Sequence, residues 1–114
     1  MKTDIYKGYG WNKEFIGSCE NGTIYSGYGL SQKYVGCYED NSVYSGYGWN
    51  RNFIGNWKDG IVYKGYGWNK IQVGSYTDGC IYSGYGWSKK QIGTYCGPDG
   101  ATASAALLLL FSNF

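Results

Sequence analysis

The chain predicts an all-β fold: five 19-residue hairpin repeats closing into a shallow ten-stranded antiparallel barrel, with a short C-terminal apolar helix inserted in it. Three observations carry that prediction. "YKGYGW", "YSGYGL", "YSGYGW", "YKGYGW" and "YSGYGW" start at Tyr6, Tyr25, Tyr44, Tyr63 and Tyr82, a constant 19 residues apart. Among 114 residues there are 20 glycines, one proline and 20% aromatics, a makeup that suits strands and tight turns rather than helices or a disordered linker. After "CGPDG" the pattern stops and "ATASAALLLLFSNF" begins, Ala-rich and then Leu-rich. Residues 1–97 form the barrel and residues 98–114 the helix packed with it, as one domain.

Each repeat opens with a strand around Ile5, Ile24, Val43, Val62 or Ile81, set in a β-branched and aromatic run too short for a helix. A loop follows, "WNKE", "LSQK", "WNRN", "WNKI" or "WSKK". The second strand centres on Ile16, Val35, Ile54, Val73 or Ile92. Asn21-Gly22, Asp40-Asn41, Asp59-Gly60 and Asp78-Gly79 then close the tight turns, since Gly, Asn and Asp tolerate positive φ. A two-residue type I′ turn would put the two aliphatic positions on opposite faces. A type I turn with a Gly bulge would put them on one face, away from the five tyrosines, which then pack over neighbouring glycines; the bulged form is the one expected.

The tail has Asp99 or Thr102 as an N-cap. At 1.5 Å per residue its 11 to 14 residues span roughly 16 to 21 Å, short of the ~30 Å of a bilayer core but equal to a strand of five or six residues. Leu107, Leu108, Leu109, Leu110 and Phe111 are apolar all round, and such a helix is buried. A ten-stranded barrel has room for it, where an eight-stranded one is filled by its own side chains.

Composition also excludes chemistry. Without histidine the usual general base and the commonest metal ligand are missing, and the carboxylates recur at turn positions with no distinct acid–base pair. The expectation is therefore a non-enzyme with no cofactor and no metal site. Cys19, Cys37, Cys80 and Cys96 lack CxxC spacing and are expected as free thiols, Cys80 and Cys96 as neighbours and Cys19 and Cys37 in strands separated by a third. A net charge of +2 is too small to argue for nucleic acid. "MKTDIYKGYG" has no apolar run of signal-peptide length, so the location expected is cytoplasmic, with peripheral membrane association allowed.

Charge is nonetheless distributed unevenly. In the loops, Lys13, Lys33, Arg51, Lys70, Lys89 and Lys90 against Glu14 leave +5; at the Asp-Gly ends, Glu20, Glu39, Asp40, Asp59, Asp78 and Asp99 against Lys58 leave −5. In a ring these become opposite rims. The candidate ligand-binding residues are Trp11, Lys13, Trp49, Arg51, Trp68, Lys70, Trp87 and Lys89, because Trp favours a membrane interface and cations favour its phosphates. The partner expected is an anionic lipid surface. A glycan is the alternative, with exposed Trp and Tyr as stacking platforms and Asn12, Asn50 and Asn69 as hydrogen-bonding partners; a purely structural or assembly domain is the third reading. Packing ribs between hairpins account for the tryptophans as well as a ligand surface does.

The recurring "IY" or "VY", the Ile16-Gly17 to Ile92-Gly93 pairs and the Asp-Gly turns resemble the β-flower families over residues 4–96. That resemblance implies a shallow barrel of radiating hairpins, likened to the Tubby C-terminal domain, whose apolar helix threads the barrel and whose surface binds phosphoinositides. No headgroup motif carries over residue by residue. A weaker likeness is to MORN repeats, which share the Tyr-x-Gly start but run longer per unit. Choline-binding repeats share Gly-Trp and Asp-Gly, but their paired Trp and Tyr motif is absent here.

Overall fold

A computed structural model describes residues 2–8, 10–27, 29–46, 48–65, 67–84 and 86–111. Outside the description lie residues 112–114, where the tail helix was expected to end, and the second tyrosine of each motif (Tyr9, Tyr28, Tyr47, Tyr66 and Tyr85), together with the side chains of Ser31, Asn69 and Ser88. The ten strands are β1 (Thr3–Lys7), β2 (Glu14–Glu20), β3 (Thr23–Ser26), β4 (Lys33–Glu39), β5 (Ser42–Ser45), β6 (Asn52–Lys58), β7 (Ile61–Lys64), β8 (Ile71–Thr77), β9 (Cys80–Ser83) and β10 (Lys90–Cys96). Each pairs antiparallel with its chain neighbours and β10 pairs with β1, so the barrel is closed. Overall extents of 39 × 39 × 24 Å make it a shallow disc.

Closure reuses the contacts of the interior repeats. Tyr6 stands opposite Thr94 and Lys7 opposite Gly93, as Tyr25 stands opposite Ser18 and Ser26 opposite Gly17. The Gly8 amide donates to the Ile92 carbonyl at 2.7 Å, matching Gly27 to Ile16, Gly46 to Val35, Gly65 to Ile54 and Gly84 to Val73. Neither end strand keeps an open edge, which removes the usual route to edge-to-edge association.

The tight turns differ from expectation. Asn21 and Gly22 have φ of 51° and 84°, and Asp59 and Gly60 52° and 83°, both central residues positive. This is the type I′ geometry, and Glu20 faces Thr23 directly across the two-residue loop. The expected type I turn with a Gly bulge does not form there, because the I′ twist matches that of the flanking strands. A bulge does occur, at the other connection. Ile5 faces Gly17 and Tyr6 faces Phe15, so Ile16 is the extra residue; Val35, Ile54, Val73 and Ile92 are extra in the other four repeats. All five pack against the buried cluster of Ile5, Ile24, Val43, Val62 and Ile81. The aliphatics thus share the interior, by a different device.

The tail runs inside. Helix α1 (Gly100–Ala105) starts at Asp99, whose side chain accepts from the Thr102 amide at 3.1 Å and whose own amide donates to Thr3 Oγ1 at 2.9 Å. The capping bond satisfies one orphan amide of the first turn, and the second fastens the entry point to β1. Thr102 to Leu107 are buried without exception, and Leu108 is 8% exposed. Cys19 stands at the entry, in the position held by Tyr38, Trp57, Tyr76 and Tyr95 in the other repeats. Burial, and after it the charges of Asp99 and Asp4, push its thiol pKa up to about 12.

From Ala106 to Leu110 the helix widens to a π-helix, with the Phe111 amide donating to the Ala106 carbonyl at 3.0 Å. The five-fold wall explains the change. Leu107, Leu108, Leu109, Leu110 and Phe111 lie in turn against Gly93, Gly74, Gly55, Gly36 and Gly17, one residue per repeat around the ring. Five repeats are spaced about 72° apart, whereas an α-helix turns about 100° per residue; bonding five residues apart lowers the rotation towards what the wall needs. A Cβ on any of those glycines would strike the carbonyl of Tyr25, Tyr44, Tyr63, Tyr82 or Tyr6, and the tail side chain as well.

Candidate functional site

The tail enters at the tight-turn end, and Leu109, Leu110 and Phe111 are half-buried towards the other end, where the five loops stand. Each loop is a single 3₁₀ turn, at Gly10–Asn12, Gly29–Ser31, Gly48–Asn50, Gly67–Asn69 and Gly86–Ser88. Gly10, Gly29, Gly48, Gly67 and Gly86 begin these turns at φ near +60°, and a Cβ there would meet nothing within 4 Å. Conformation, not space, therefore demands glycine at that step.

Trp11, Trp49, Trp68 and Trp87 follow, with relative exposures of 103%, 102%, 104% and 105%. Such values rule out the packing-rib reading: these rings stand clear of the wall. Leu30 takes the place in the second repeat and is just as exposed, at 108%. The expected cations come next. Lys13, Arg51, Lys70 and Lys89 are exposed and folded back over the rings of Tyr6, Tyr44, Tyr63 and Tyr82, at 4.6, 4.0, 4.3 and 4.9 Å from their centroids. In the second repeat Gln32 replaces the cation, so that repeat lacks the Trp and the cation together.

Tyr6, Tyr44, Tyr63 and Tyr82 thus each hold a cation. Tyr6, Tyr25 and Tyr44 also meet Phe15, Tyr34 and Phe53 edge to face, with centroids 5.7, 6.1 and 5.8 Å apart. Tyr6 has its hydroxyl pKa raised by partial burial and then by Asp4, so it remains a neutral phenol under the cation.

Arg51 departs from the simple picture of two opposite rims. Its guanidinium donates to Cys37 Sγ at 3.9 Å and to Glu39 Oε1 at 3.2 Å, and these two contacts, Cys37 first, raise its pKa further. This is the only ion pair among the described residues, and it draws Arg51 along the wall towards the acidic end. Both partners remain open to solvent, at 37% and 58% exposure, so the pair adds little stability. Lys13, Lys70 and Lys89 carry no such partner.

Asn12 and Asn50 are exposed on the loops; the side chain of Asn69 lies outside the described residues. All four cysteines are free thiols. Cys80 faces Thr94 on β10, two residues short of Cys96, and β3 separates Cys19 on β2 from Cys37 on β4. Among the described residues no group of three or more His, Cys, Asp or Glu converges to hold a metal ion, and no helix is long and apolar enough to cross a membrane.

Sequence reasoning found the tryptophans and cations but missed the tyrosine beneath each cation. A signal was present: where the second repeat loses its Trp, it loses its cation too. No protein-family model, curated protein or solved structure matches this chain.

Proposed function

We propose that this chain is a non-catalytic binding domain that docks its loop rim on an anionic membrane surface. The observation that carries the proposal is a ring of four tryptophans, each more than 100% exposed at equivalent positions and each followed by a cation stacked on the wall behind it. A large apolar ring held in water is unfavourable unless a partner covers it, and Trp prefers the interfacial zone of a bilayer. With the rings at that depth, the cations one layer back meet the phosphates, each contributing about 1 kcal/mol before salt screening.

The test is co-sedimentation with phosphatidylcholine vesicles with and without phosphatidylserine. Binding is expected to need the anionic lipid and to fall with salt. Lys13→Gln with Lys70→Gln and Lys89→Gln should weaken it and flatten the salt dependence; Trp49→Ala with Trp68→Ala should weaken it without changing that dependence. Wild-type protein that ignores anionic vesicles at low salt but is retained on a glycan array would replace the lipid surface with a carbohydrate. Failure of both assays would leave an assembly domain.

A further inference from the structure

Where the last repeat meets the first, a groove of about 400 Å³ opens on the loop side, lined by Lys7, Gly8, Ser83, Lys90, Gln91 and Ile92. Every junction between repeats has the same six positions, so the five can be compared directly. The junction of the first and second repeats holds one lysine, Lys7, and one carboxylate, Glu14. The next three hold one lysine each, Lys33 in one and Lys64 in the other two. Only the closing junction holds two lysines and no carboxylate.

The position of Gln91 is Phe15, Tyr34 or Phe53 in the first three repeats, set edge to face against a tyrosine, and Gln72 in the fourth. At the closing junction the Gln91 Nε2 donates to the Gly93 carbonyl at 3.3 Å, so the lysine pair, not the amide, sets this junction apart. Lys7 and Lys90 are both exposed and neither belongs to an ion pair. Glu14 is the cross-strand neighbour of Lys7 on β2, and it too makes none. Lys7 and Lys90, with no carboxylate between them, share one concave surface with Ser83 and Ile92.

We infer that the closing groove binds a phosphate monoester, with the phosphate between Lys7 and Lys90 and its organic stem against Ile92. Lysine recognises phosphate as a compact point charge with several donors, which suits a groove shaped by side chains rather than by a backbone nest. The ester is either a free metabolite or the headgroup of a lipid. Only the lipid source rests on the membrane reading above.

The experiment titrates ¹⁵N-labelled protein with glycerol 3-phosphate and follows the amide spectrum. Saturable shifts confined to Lys7, Gly8, Ser83 and Lys90 to Ile92 are expected. Lys7→Gln with Lys90→Gln should weaken binding by about tenfold or more, Lys7→Arg with Lys90→Arg should largely retain it, and Glu14→Gln should tighten it by a few-fold. Non-saturable shifts, or shifts spread evenly over all the basic residues, would overturn the proposal whether or not the double Gln variant folds.

Vesicles then separate the two sources. Preference for phosphatidic acid over phosphatidylserine at matched charge, lost in the double Gln variant, identifies a lipid headgroup. Saturable glycerol 3-phosphate binding without that preference identifies a free ester. Vesicle binding with no saturable ester site refutes the groove and leaves the membrane reading standing; the reverse result refutes the membrane reading alone.

Discussion

Replacing Leu107 by Ala is the sharpest probe of the threaded tail. Leu107 is fully buried, and its Cδ2 rests against Gly93, which has no side chain to move into the space left behind. Leu→Ala substitutions in cores cost about 2–5 kcal/mol, rising with the cavity that remains, so a site walled by glycine and closed strands should fall near 3–4 kcal/mol. For a domain of this length the unfolding entropy is roughly 0.24 kcal/mol per degree, which converts 3 kcal/mol into a drop in Tm of about 12 °C. Leu110 is only half-buried, so Leu110→Ala should cost about half as much. Thermal and urea unfolding followed by circular dichroism would measure both. If Leu107→Ala changes stability by less than about 0.5 kcal/mol, as a surface substitution does, or if Leu110→Ala is the more damaging, the tail does not thread the barrel as described.

Three further outcomes follow from the same geometry. Gly55→Ala should cost about 1–3 kcal/mol, because the new Cβ meets the Tyr63 carbonyl and lies 2.6 Å from Leu109 Cδ1; adding Leu109→Ala should restore only part, since the carbonyl stays, and complete rescue in urea unfolding would show that the tail alone demands the glycine. The folded-state pKa of Cys19 is raised from 9.0 to about 12, so its contribution is full below pH 9 and is lost as pH climbs towards 12; Cys19→Ala should lose less stability over that window than wild type, and parallel pH–stability curves would count against a buried neutral thiol. Amide exchange at Tyr6 and Gly93 should be as slow as at Tyr25 and Gly17, their counterparts within the ring, because β1 and β10 pair in the same register as β3 and β2; fast exchange confined to β1 and β10 would mean that the ring opens at this junction.

The sequence by itself determined the period, the strand count, the tight-turn positions and an apolar tail of strand length, since each of these is a local pattern of φ tolerance or side-chain polarity repeated every 19 residues. The tryptophan loops and their cations were legible for the same reason. The turn type was not, because Asn-Gly and Asp-Gly tolerate both geometries considered; the twist of the flanking strands selected I′ and moved the bulge to Ile16 and its counterparts. The recurring Ile-Gly and Val-Gly pairs look like ordinary strand residues until the barrel closes, when each glycine becomes the wall against which one tail residue rests. The π-helix follows from that match, since five consecutive side chains must address five repeats and no local propensity asks for it. The groove lined by Lys7 and Lys90 is wholly tertiary: the two residues are 83 positions apart, and only ring closure brings them to one groove, with a pair of lysines that no other junction has.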